Sequence, residues 1–71
     1  MSSNTIGHYI RWKREAKNLG IKELAERSGL SGTGLYLIEM GLRTPRADTL
    51  ARIAKALNSS MDSFFPPTNP N

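Results

Sequence analysis

The sequence predicts an all-α fold of five short helices in a single domain. Three observations support it: apolar residues recur at three- and four-residue spacing, Gly or Asn follows the helical segments, and the chain has only 71 residues. A chain of this length buries roughly 60% of its unfolded surface, which is enough for one helical core. It has no cysteine, so a disulfide or thiolate-metal framework is excluded, and His8 alone cannot bind a metal.

The charge balance is basic. Ten Lys and Arg against six Asp and Glu give a formal charge of +4 and a pI near 10.0. Such a charge can simply keep a small protein soluble, or it can mark a surface that binds a polyanion. The sequence has no long apolar run, so we expect no membrane span and no signal peptide, and a cytoplasmic protein.

The first predicted helix runs from a cap at Asn4 or Thr5 to about Lys17. Residues 1–5 are expected to form a polar leader, and 6–65 the folded domain. The residues expected to face inward share helical spacing; they are Ile6, Tyr9 or Ile10, Lys13 (through its aliphatic stem) and Ala16.

Two short helices joined by a tight turn follow, with the sequence LAERSGLSGTGLYLI over residues 24–38. They are predicted at about 21–28 and 32–40. Gly29 can adopt positive φ where the chain reverses, and Ser31 is a good N-cap for the second helix. This spacing is typical of a helix-turn-helix.

The fourth helix is predicted from about Ala47 to Leu57, with an apolar stripe on one face and Asn58 as its left-handed stop. Ser60 is expected to cap a last helix over residues 61–65. Phe64 and Phe65 cannot both be buried on so short a helix, so one should enter the core and the other should be available to a partner. Residues 66–71 are expected to form a flexible, Pro-containing tail.

These features resemble the XRE family, the phage-repressor and Cro-like helix-turn-helix proteins, from about Ile6 to Phe65. The residues that carry the resemblance are Ile6-Gly7, Ile10-Arg11, Arg14, Glu23-Leu24-Ala25-Glu26, Gly29-Leu30-Ser31, Leu35, Ile38-Glu39, Gly41, Arg43, Pro45, Thr49-Leu50, Ile53-Ala54, Ala56-Leu57 and Phe65. The resemblance implies a compact five-helix lambda-repressor-like DNA-binding domain. It further implies double-stranded DNA as partner, a homodimer on a palindromic operator, and no cofactor or small-molecule ligand.

The resemblance makes the third helix the recognition helix in the major groove. Its base-facing positions would be Ser31, Gly32, Thr33, Tyr36 and Leu37. Family members usually carry Gln, Arg, Asn or Ser on this face, whereas this chain has no Arg, Lys, Gln or Asn there. Either discrimination relies on thymine contacts, water and DNA shape, or this face binds something other than DNA.

The remaining site residues also follow from the resemblance. The phosphate contacts would be Lys22, Arg43, Thr44, Arg46 and, secondarily, Arg14. Arg14 and Glu39 would form a structural ion pair, although an ordinary surface pair worth ~0–1 kcal/mol is the alternative. The dimer interface would contain Asn58, Met61, Phe64 and Phe65.

No nucleophile–base pair is evident, and so small a chain offers little room for a catalytic cleft, so an enzyme is not expected. The leading hypothesis is a sequence-specific transcriptional regulator, and within that class a repressor. The competing hypothesis is a protein-interaction module, antitoxin-like or adaptor, whose apolar recognition helix binds another polypeptide.

Overall fold

A computed structural model describes residues 5–65 and confirms the all-α class. The elements are α1 (Thr5–Ala16), α2 (Ile21–Arg27), α3 (Gly32–Glu39), α4 (Ala47–Ala56) and a terminal 3₁₀ helix (Met61–Phe64). No strand occurs between residues 5 and 65. The predicted leader cap at Asn4 and the predicted tail over 66–71 lie outside the described residues.

Each α-helix ends in the same local hydrogen-bonded turn, the Schellman motif. The residue just past the helix is left-handed in every case: Asn18 (φ 58°), Gly29 (φ 71°), Gly41 (φ 79°) and Asn58 (φ 53°). The next amide then bonds back to a carbonyl five residues earlier, as in Leu30 to Ala25 at 2.8 Å and Leu42 to Leu37 at 2.9 Å. Gly adopts this conformation without penalty and Asn at a small one, which explains the residue choice.

The helix starts are less uniform. The Oγ of Ser31 accepts a hydrogen bond from the amide of Gly34 at 2.9 Å, so Ser31 caps α3 as predicted. Gly20 and Arg46 hold the extended cap conformation before α2 and α4 without a side-chain bond. Ser60 occupies the predicted N-cap position of the last helix in the same extended conformation, but its side chain makes no cap bond. The Oγ of Ser63 instead donates to the Ser60 carbonyl at 2.6 Å.

The core is a cluster of aliphatic side chains closed by one aromatic ring. Its buried apolar members are Ile10, Leu24, Ala25, Leu35, Ile38, Leu50, Ile53, Ala54, Leu57 and Phe64. On α1 the buried stripe is Gly7, Ile10 and Arg14, so the prediction that Ala16 faces inward is wrong. Ala16 lies one turn beyond Lys13 on the solvent side of this stripe.

The two adjacent phenylalanines at the end of the terminal 3₁₀ helix differ in burial. Phe64 is fully buried, and the Nζ of Lys13 lies 5.5 Å from the centre of its ring. Phe65 remains 46% exposed. Phe64 is therefore a core residue, and its assignment to a dimer interface is wrong because no surface of the ring is free to meet a second chain.

Ser28, at the C-terminal end of α2, is an unfavourable core residue. Its Oγ is buried and has no hydrogen-bond partner among the described residues. A buried hydroxyl without a partner costs about 1–3 kcal/mol. We therefore expect Ser28→Ala to raise the free energy of unfolding by about 1 kcal/mol, or Tm by about 4–8 °C, in thermal unfolding followed by circular dichroism.

The matched control for Ser28 is Ser60→Ala, because the exposed Ser60 side chain makes no cap bond. This control should leave Tm nearly unchanged. A lower Tm for Ser28→Ala would mean that the hydroxyl contributes a favourable interaction.

No helix within residues 5–65 has the length and apolarity needed to cross a membrane.

Candidate nucleic-acid interface

The centre of the site is the pair α2 and α3, which pack against each other across a four-residue connection, 28–31. Leu24 and Ala25 are buried on α2, and Leu35 and Ile38 are buried on α3. The left-handed conformation of Gly29 reverses the chain between them. The inward stripes of both helices are thereby fixed, which leaves the opposite face of α3 at the surface.

The outward face of α3 carries few hydrogen-bonding groups. Its residues are spaced i, i+3, i+4 and i+7: Thr33, Tyr36, Leu37 and Met40. Tyr36 is 48% exposed and Met40 is 45% exposed, while Leu37 is half-buried. The one charged residue of α3, Glu39, faces the opposite way and is buried. We call Tyr36, Leu37 and Met40 the apolar strip.

Arg14 and Glu39 join α1 to the end of α3. The Nε of Arg14 donates to one Glu39 carboxylate oxygen at 2.7 Å, and its Nη2 donates to the other at 3.0 Å. The Nη1 donates to the carbonyl of Leu19 at 2.7 Å. The hydrogen bonds with Glu39, together with its negative charge, outweigh burial and raise the pKa of Arg14 above its ordinary value, so this arginine stays charged.

The Arg14 side chain is only 11% exposed, and each of its three nitrogens already donates a bond within the protein. This geometry suits a residue that holds α3 in place. It gives little support to the direct phosphate contact that the resemblance implied for Arg14.

The loop after α3 is bonded directly to the middle of the apolar strip. The amides of Leu42 and Arg43 both donate to the carbonyl of Leu37, at 2.9 and 3.2 Å. The guanidinium of Arg43 also lies against α3, since its Nη1 is 3.7 Å from where a Cβ on Gly34 would stand. Arg43 is therefore positioned relative to α3 by two backbone hydrogen bonds.

Cationic and polar groups surround this face. Arg43, Thr44 and Arg46 are exposed and line one hollow of about 200 Å³ beside α3. Arg46 immediately precedes α4, so its side chain stands at the positive end of that helix. Lys22 is exposed in the first turn of α2. Four of the five predicted phosphate residues are thus at the surface, and the fifth, Arg14, is buried.

Sequence reasoning missed Arg11. Its side chain lines a second hollow of about 200 Å³, between α1, α2 and α3, together with Ile21, Tyr36 and Met40. It is exposed, and its Nε bonds Glu15 at 3.3 Å, a surface pair worth little. The signal was its i, i+3 spacing from Arg14, which places both arginines on the side of α1 that faces α3.

The family model for helix-turn-helix proteins matches residues 10–64 of this chain. The chain belongs to the XRE-type helix-turn-helix family. This family consists of DNA-binding transcription regulators, and the matched segment contains α2, α3, the core and the loop that carries Arg43, Thr44 and Arg46.

Two curated relatives carry regulatory names. An HTH-type transcriptional regulator of Mycobacterium tuberculosis is 46% identical over 59 residues, which cover 83% of this chain and 42% of the relative. This chain thus spans about two fifths of the mycobacterial protein's length. The ImmF control region 10 kDa protein of Bacillus phage phi105 is 36% identical over 62 residues, covering 87% of this chain and 69% of that protein.

Solved structures give the same fold. The restriction-modification controller protein C.AhdI from Aeromonas hydrophila superimposes with a TM-score of 0.84 at 30% identity, over 86% of this chain and 92% of that one. The clp gene regulator ClgR from C. glutamicum gives 0.82 at 30% identity, over 86% and 79%. The DNA-binding domain of the P22 c2 repressor gives 0.83 at 25% identity, over 90% and 84%.

Proposed function

We propose that this XRE-type protein is a sequence-specific transcriptional regulator that inserts α3 into the major groove of double-stranded DNA. The observation that carries the proposal is the arrangement of charge around α3. Exposed cations lie on both sides of a helix whose own outward face is uncharged, with Arg11 on one side and Arg43 and Arg46 on the other. Such flanking cations can neutralise the two phosphate strands that border a groove.

In this proposal the parts of the site have separate tasks. Arg43, Thr44 and Arg46 contact phosphates on one side of the groove. Lys22 and Arg11 contact them on the other. Because Leu37 accepts bonds from the loop that carries Arg43, a phosphate contact by Arg43 sets how far α3 enters the groove. Phosphate contacts fix this register, and sequence is read by the outward face of α3.

We propose further that the protein acts as a homodimer on an imperfect palindrome. Asn58 and Phe65 are exposed and Met61 is partly exposed. All three follow α4 in the sequence and do not belong to α3. A two-fold contact there would present two α3 helices to half-sites about 10 bp apart. Bound over a promoter, such a dimer would repress by excluding polymerase. We assign it to the cytoplasm, with no catalytic activity, metal, cofactor or small-molecule ligand.

The test is selection from a randomised duplex pool at near-physiological salt, followed by sequencing of the bound fraction. We expect a two-fold motif with half-sites about 10 bp apart. The Lys55→Ala variant is the control, because this exposed lysine lies in the last turn of α4, far along the helix from Arg46. It should select the same motif. Binding without enrichment that disappears as salt rises would contradict the proposal.

A second candidate, a protein-interaction module, is favoured by one observation. Leu42 is 73% exposed and follows the half-exposed Tyr36 and Met40 in the sequence, and so much apolar surface on a small domain can mark a contact with another polypeptide. Co-purification of a one-to-one partner, together with absence of sequence-selective DNA binding, would support this candidate over the first.

A further inference from the structure

The outward face of α3 has almost nothing with which to distinguish base edges by hydrogen bonding. The Oγ of Ser31 accepts from Gly34, and both carboxylate oxygens of Glu39 accept from Arg14. The exposed Ser31 hydroxyl can still donate through its O–H, and two further hydroxyls lie outward, on Thr33 and Tyr36. A hydroxyl both donates and accepts, so it can bond either an acceptor or a donor on a base.

The rest of the face is apolar. Leu37 and Met40 continue the strip that begins at Tyr36, and neither can form a directional hydrogen bond with a base edge. In the major groove the one prominent apolar group is the methyl on C5 of thymine. Burial of a methyl group against such a side chain is worth about 0.8 kcal/mol, which corresponds to about fourfold in affinity.

Duplex DNA is the occupant that the surrounding charges favour. The strip is bordered by the hollow lined by Arg11 and by the loop that carries Arg43 and Arg46. The apolar strip with cations on both sides is complementary to a major groove that exposes methyl groups on its floor and has phosphates along both edges.

We propose that α3 reads the C5-methyl groups of pyrimidines, so that 5-methylcytosine can replace thymine in its site. This inference rests on the proposed DNA-binding function and specifies the group that is recognised. Thymine and 5-methylcytosine carry the same methyl. The base pairs differ at the two neighbouring groups, because T·A presents an O4 acceptor and an N6 donor where 5-methylcytosine·G presents an N4 donor and an O6 acceptor. An Asn, Gln, Arg or Lys would distinguish these two groups. Leu37 and Met40 cannot, and the hydroxyls of Ser31, Thr33 and Tyr36 accommodate both because each can donate or accept.

The experiment is three parallel selections from randomised duplex pools of the same design. The first pool contains the ordinary bases. The second contains uracil in place of every thymine, which deletes the C5-methyl and keeps the hydrogen-bonding groups. The third contains 5-methylcytosine in place of every cytosine. Affinities of the recovered duplexes are then measured at one salt concentration.

We expect a motif from the first pool whose discrimination disappears in the second, with affinity falling about fourfold for each contacted thymine that becomes uracil. In the third pool the thymine positions of the motif should accept 5-methylcytosine. Recovery of the same motif with undiminished affinity from the uracil pool would overturn the inference. So would exclusion of 5-methylcytosine from the thymine positions. No motif from any pool would overturn the proposed function as well, which separates the two failures.

Two variants assign the effect to side chains. Met40→Ala should reduce the preference for thymine over uracil at the positions it contacts, and because Met40 is 45% exposed this change should leave the fold intact. Leu37→Ala should do the same, with circular dichroism used to verify folding. Lys55→Ala should retain the full preference. If neither α3 variant changes the preference, α3 is not the element that reads the methyl groups.

Discussion

Replacing Glu39 by Ala should lower the free energy of unfolding by about 3–5 kcal/mol, which is most of the stability of a domain of this size. The reason is the buried guanidinium of Arg14, which would lose the acceptors of two hydrogen bonds and stay charged in a site that is 11% exposed. Urea unfolding followed by circular dichroism measures the effect.

The control for this prediction is Glu15→Ala, which removes the exposed partner of Arg11 and should cost at most about 1 kcal/mol. The double variant Arg14→Met with Glu39→Leu removes both charges together and should recover much of the stability, because no unpaired charge is left buried. A decrease of less than about 1 kcal/mol in Glu39→Ala would show that the pair contributes no more than a surface salt bridge.

Replacing Arg43 or Arg46 by Ala should weaken binding about tenfold on every DNA sequence, because each replacement removes a cation that pairs with a phosphate. The salt dependence should flatten by about one unit for each phosphate that is no longer neutralised. Both side chains are exposed beside α3, so neither contributes to the core and the fold should persist. The measurement is a titration of a fixed duplex between about 50 and 200 mM salt.

Lys55→Ala is again the control and should change the slope by much less, although it removes the same charge. An unchanged slope in both arginine variants would exclude them from the phosphate contacts. A change in which sequences bind would instead place the altered arginine among the base contacts.

The helix boundaries were predictable to within one residue because the signals that end a helix are local. Gly29, Gly41 and Asn58 act through their own φ angles and through bonds to carbonyls up to five residues away, so no knowledge of the tertiary structure is needed. The N-cap at Ser31 is equally local.

The errors have a common cause in tertiary packing. Whether Phe64 or Phe65 is buried depends on how the terminal 3₁₀ helix is rotated against α1, and neighbouring aromatic residues carry no sequence signal for that rotation. For Arg11 the sequence carried only its i, i+3 spacing from Arg14, and its place in a hollow between three helices follows from how they pack. The apolar character of the outward face of α3 could be predicted directly from the sequence, because it depends only on which residue types occupy those positions.

The residue with positive φ that follows each α-helix also affects how fast the chain folds. Since the ends are set by bonds within six residues, the limits of each helix are specified locally, whereas its stability depends on packing against its neighbours. The contact between Arg14 and Glu39 spans 25 residues and joins two helices whose limits are specified locally. Few long loops then have to close during folding. Helical domains whose contacts are mostly local in sequence fold in microseconds to milliseconds.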